Sequence, residues 1–155
     1  MNCVDISAMV NRLIRQCGTD NPVRIAKELG INVMYTPLGG KKYGNYIKYK
    51  RVKIIIIDKE VIPPELFEFV LAHELGHAVC TPDENTRWLD QYTLGINSSI
   101  VESKANEFAV KLLLNDGYLK EYLDISAYTL AKSRGIPKNL VYLKAWEIRG
   151  SAVAG

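Results

Sequence analysis

The pentapeptide His73-Glu74-Leu75-Gly76-His77 constrains this chain more than any other stretch, because its two imidazoles can act together only on a helix. Residues four apart lie one turn from each other on the same helical face, so both rings can reach a single metal ion. Glu74 projects about 100° further round. That places it beside such an ion rather than on it, where it can take a proton from an attacking water. The flanks predict the helix. Pro63-Pro64 stands at its start, Glu65 and Glu68 suit the positive first turns, and Thr81-Pro82 stops it. Leu66, Val70, His73 and His77 form one stripe, and Phe67, Leu71, Leu75 and Val79 another. The competing explanation is a core helix whose histidines are merely hydrogen-bonded. Against it stands the count: the chain has only 2 histidines, and both are here.

At 155 residues and 48% hydrophobic, the chain suits one domain with a sizeable core. A net charge of +3 is too mild to identify a nucleic-acid or membrane partner. Asp5, Asn11, Arg12 and Arg15 interrupt the first apolar segment, and no other stretch approaches a membrane span, so a signal peptide or anchor is not expected. Cys3, Cys17 and Cys80 follow no disulfide or zinc-knuckle spacing, which points to a reduced, cytoplasmic protein.

Before the metal helix, residues 5–17 read as an amphipathic helix. Asn21-Pro22 opens a second that Gly30 ends, and strands are predicted at 31–35, 43–49 and 52–57. Ile54 to Ile57 is apolar at consecutive positions, so both faces of that strand should be covered. Lys41, Lys42, Lys48, Lys50, Arg51 and Lys53 occur here with no acid among them. They suit either a basic edge for an acidic or phosphate-bearing partner or, the preferred reading, an exposed hairpin protected from aggregation. Residues 83–98 read as a loop with aromatic anchors, long enough to wall a cleft.

A helix over 99–114 follows, with Glu102 and Asn106 four apart beside its buried face. A catalytic zinc held by two histidines takes a third protein ligand and keeps an open position. With no third His, the candidates are Glu102, Cys80, Asp83 and Glu84. Asn106 would orient a ligand from outside the first layer. Ser99 and Glu102 equally fit a capping box, which needs no metal. Downstream, a short helix to Leu123, another to Gly135 and a last one from Pro137 through Ile148 are expected, then a frayed tail, Gly150 to Gly155. Residues 126–146 have a helix-turn-helix outline, but Lys138, Asn139 and Lys144 are a thin set for DNA, so a helical cover is preferred.

The pair of motifs, HELGH at 73–77 and Glu102-Ser-Lys-Ala-Asn106-Glu-Phe-Ala-Val-Lys-Leu-Leu-Leu114, resembles the ImmA/IrrE family of metallopeptidases. The segment from Pro22 to Ile31 and the small sheet after it also match, so the resemblance covers roughly residues 20–115. It implies an α+β fold: a mostly helical, zincin-like single domain over 1–155. A small sheet of about three strands would precede the HExxH helix, and 116–149 would form a helical cover. It implies Zn²⁺ on His73, His77 and Glu102, Glu74 as catalytic base, and hydrolysis of a peptide bond. The oxyanion donor would be Tyr46, Arg87 or Tyr92. The protein would be an endopeptidase, an anti-repressor that cuts a helix-turn-helix repressor of a phage or mobile element. The alternatives are a non-cleaving module that sequesters its partner and a DNA-binding regulator. Lys104, where the family often has an acid, and Thr81, near which it often has a further His, depart from the pattern. A metzincin would need Gly at Val79 or Cys80 and His at Asp83, and is excluded.

Overall fold

The computed structural model describes residues 5–86 and 88–144. Helix α1 (Ile6–Cys17) starts where the Asp5 carboxylate accepts the Ala8 amide, and ends at Gly18, whose φ of 68° few other residues adopt. Helix α2 (Pro22–Glu28) is capped by Asn21, which accepts the amides of Val23 and Arg24. α1 lies where its apolar periodicity predicts, and α2 begins where its cap residue predicts, because capping is a local event.

Three strands follow: β1 (Asn32–Tyr35), β2 (Lys42–Tyr49) and β3 (Val52–Ile57). β3 is central, parallel to β1 and antiparallel to β2. The sheet has four strands rather than the expected three. Leu89 and Asp90, within the segment read as a loop, pair as β4 with Gly44 and Lys42 of β2. Two residues carry no period that a sequence pattern can register. A second expectation also needs correcting. Ile55 and Ile57 are fully buried, but Ile54 and Ile56 on the other face of β3 are only half-buried.

A 3₁₀ turn (Pro64–Leu66) leads into α3 (Phe67–Cys80), which carries HELGH. Every residue of α3 from Phe69 to Ala78 is buried, because the sheet lies on one side and α4 (Ile100–Leu113) on the other. A helix apolar all round belongs at the centre of a fold. Lys53 reaches from β3 to the Ala78 carbonyl near its C-terminal end (3.0 Å).

The cover consists of α5 (Asp116–Glu121), α6 (Ala127–Ser133) and a 3₁₀ turn (Lys138–Leu140). One hydrophobic cluster runs from Ile6 to Val141 and joins it to the rest. Arg134 clasps the same parts together. Its guanidinium bonds Glu68 of α3, Asp20 between α1 and α2, and the Leu113 carbonyl that ends α4. Lys144 is 4% exposed and paired with Asp116 (2.9 Å), which removes a cation that the DNA-binding alternative requires. The last part of the predicted final helix and the tail, residues 145–155, lie outside the described residues. No described helix is long and apolar enough to cross a membrane.

Candidate metal centre

Gly76 sets the distance between the two helices that build the site. A Cβ there would stand 3.0 Å from the Cα and the carbonyl oxygen of Ala105, and 3.2 Å from the Phe108 Cβ. With hydrogen in its place α3 and α4 touch backbone to backbone, and Glu102 comes to face His73 and His77. Its Oε2 lies 3.0 Å from His73 Nε2 and its Oε1 3.2 Å from His77 Nε2. The two Nε2 atoms are 3.1 Å apart. All three side chains offer a ligand atom within 4.8 Å of the others.

The competition between cap and cluster at Glu102 has an unexpected resolution. Ser99 caps α4 by accepting the Glu102 amide at 3.2 Å, while the Glu102 carboxylate turns to the imidazoles. Backbone and side chain serve different ends, so the two readings do not exclude each other.

Asn106 fixes the tautomer of His73. Its amide nitrogen donates to the Asn97 side-chain oxygen (2.8 Å) and the Ile96 carbonyl (3.3 Å), so its own oxygen faces His73 Nδ1 at 2.8 Å. That Nδ1 therefore carries hydrogen, and the neutral ring presents a lone pair at Nε2. The lone pair aims at a carboxylate oxygen and at a second imidazole nitrogen. Three such atoms converge in a buried place only when protons or a cation lie between them. Two nitrogens and one carboxylate suit zinc and its neighbours, and not magnesium or calcium, which take oxygen. Although burial opposes its ionisation, His73 and His77, when protonated on Nε2 in the metal-free cluster, hold the Glu102 carboxyl down to about 2 through hydrogen bonds and charge. The anionic, ligating form is thus the one this environment favours.

Glu74 stands apart from the cluster. Both its carboxylate oxygens are buried without a hydrogen-bond partner, and burial, only partly offset by His73, pushes its pKa up to about 8. Gly44 of β2 passes directly over it, since a Cβ at Gly44 would lie 3.5 Å from the Glu74 Cγ. The roles of Gly44 and Asn97 escape sequence reading. A glycine inside a strand does signal a close approach, whereas nothing local marks Asn97.

Among the described residues no other ligand candidate joins the cluster. Cys80 contacts Met9 (Sγ to Sδ 3.9 Å), and burial pushes its thiol up to about 12. Asp83 is exposed and paired with Lys48, and Glu84 is exposed. The Tyr46 hydroxyl donates to the Pro82 carbonyl at 2.8 Å, and burial with the Asp83 charge pushes it up to about 12. Tyr92 is 75% exposed. Arg87 lies outside the described residues.

Over residues 26–144 the chain matches the profile of the peptidase family described as the IrrE N-terminal-like domain, a match that runs past α4 into the cover. It is 37% identical over 141 residues to a Bacillus phage phi105 protein named uncharacterized immunity region protein 2. That alignment covers 90% of this chain and 88% of the phage protein. No solved structure matches it significantly. With the family profile spanning most of its length and the phage relative nearly all of it, the chain belongs to the IrrE N-terminal-like peptidase family.

Proposed function

We propose that this protein is a zinc-dependent endopeptidase that acts on a helix-turn-helix repressor of a phage or mobile element. The observation that carries the reading is the convergence of His73, His77 and Glu102 beside the unpartnered carboxylate of Glu74. His73, His77 and Glu102 would hold Zn²⁺, which when bound lowers the pKa of water and polarises a carbonyl. Glu74 takes a proton from the attacking water and returns it to the leaving amine. Without a metal its desolvated carboxylate binds a proton more strongly than an exposed one, which suits the first half of that exchange. Asn106 holds His73 with its Nε2 inward, and Gly44 walls off the face of Glu74 turned to the sheet. The Glu102 side chain, 12% exposed, is the member of the cluster open to solvent.

The repressor target is supported by the phage relative, whose name places it in an immunity region. The cytoplasm, where such a repressor works, is the corresponding location. The test combines metal content with cleavage. Gently purified protein should hold about one zinc per chain, weakened in Glu102→Ala. With zinc it should cut the repressor encoded beside it, at one site found by mapping fragments. Glu74→Gln should retain the metal and the repressor but lose the cut. A repressor left whole by the zinc-loaded protein, yet bound equally by Glu74→Gln, would replace this reading with sequestration.

A further inference from the structure

The sheet has a second face, turned away from α3, that the metal centre does not use. Strand alternation and the pairings Met34↔Ile56, Ile47↔Ile54 and Tyr49↔Val52 bring six apolar residues together on it. Met34 is 49% exposed, Ile47 39%, Tyr49 68% and Val52 47%, with Ile54 and Ile56 half-buried between them. A solvated face of a sheet is normally polar. An apolar patch that runs along β3 and reaches Met34 on one neighbouring strand and Ile47 and Tyr49 on the other, bordered by Asn32 and Asn45, marks an interaction surface.

Size and charge select the occupant. Three strands about 4.8 Å apart, paired over about four residues, make a patch of about 10 by 14 Å. That matches one helix about 10 Å wide. It falls well short of the roughly 800 Å² per partner that a stable dimer needs. At its rim Lys50 and Arg51, in the turn between Tyr49 and Val52, are exposed and make no ion pair among the described residues, and Lys50 lies 5.5 Å over the ring of Tyr49 in the patch itself. The other strand cations are engaged elsewhere: Lys42 over Trp88, Lys48 with Asp83, Lys53 on the Ala78 carbonyl. A second copy would bring the same cations, whereas an acidic flank would neutralise them.

We propose that this outer sheet face docks an amphipathic helical segment of a partner protein, apolar on one side and acidic along its flank. The segment lies across β1, β3 and β2 with its acidic residues at Lys50 and Arg51. The metal centre is on the opposite side of the sheet, so a partner held here leaves it free. The assignment does not depend on what that centre cleaves.

The test uses the full chain and two synthetic helical peptides of about five turns. Both carry leucines on one face; one has glutamates elsewhere and the other lysines. Fluorescence anisotropy at low salt should show the glutamate peptide binding at least about tenfold tighter. Ile47→Thr with Val52→Thr, which keeps strand-forming residues at exposed positions, should weaken that binding by about tenfold or more. Lys50→Glu with Arg51→Glu should reverse the preference between the peptides without touching the apolar patch. Equal binding of both peptides, or indifference to both pairs of substitutions, would overturn the proposal. So would sedimentation showing a dimer that the threonine pair dissociates, or stronger capture by anionic phospholipid vesicles through the same residues.

Discussion

Glu74 and Asn106 show how single side chains decide what the centre can do. In the metal-free protein Glu74 is a carboxyl without a partner, and burial raises its pKa from 4.5 to about 8. The folded state therefore keeps a proton that the unfolded chain releases. The favourable contribution is complete below about 4.5 and is lost as pH rises through about 8. Glu74→Gln removes this dependence. In chelator-treated protein its melting midpoint should exceed the wild type by a margin that grows from about pH 5 to about pH 8. A margin constant across that window would mean that the carboxylate finds a partner in solution. The Asn97–Asn106–His73 chain makes a second prediction. Asn106→Leu should weaken zinc binding by about a hundredfold and Asn97→Ala by about tenfold, read by competition with a coloured chelator. Unchanged affinity in both variants would show that the His73 ring is held by packing alone.

Helices were far more legible in the sequence than the contacts between them. Asn21 and Ser99 announce helix starts because a cap involves only its own next turn. The candidate metal ligands on α3 were legible for the same reason, as i and i+4 on one helix. Glu102 needed the family resemblance, because spacing alone serves the cap as well as the cluster. β4 and the uncovered face of β3 were not legible. The first is too short for a pattern, and four isoleucines in a row measure hydrophobicity, not what lies over them. Gly76, read only as a letter of the motif, has a role visible only where α3 meets Ala105. Gly76→Ala should cost about 1–3 kcal/mol in urea unfolding, since backbone on α4 must move. It should also weaken zinc binding, because Glu102 moves with α4. Full stability with normal zinc content would show that the helices tolerate a wider spacing.

Across the whole molecule, Arg134 ties the cover to the helices that hold the site. Its three partners come from α3, from the end of α4 and from the link between α1 and α2, and its guanidinium stacks on Tyr118 at 4.8 Å. Arg134→Gln should cost about 3 kcal/mol, read by urea unfolding, because it leaves two carboxylates half-buried without their cation. Burial alone would raise the Asp20 pKa, but the Arg134 hydrogen bonds and charge win and lower it. Its stabilisation is therefore present above the usual carboxylate range and is lost as pH falls through the depressed value. The wild type should lose stability on acidification more steeply than Arg134→Gln, and parallel acid profiles would refute the link. The chain's 2 histidines, both at the metal centre, have one more consequence. Nitrogen-15 supplied only as histidine labels nothing but this site, so a magnetic resonance spectrum of the intact protein contains two imidazoles and no background. His73 should show its hydrogen on Nδ1 before metal is added, and zinc should move both Nε2 signals together at the same equivalence point.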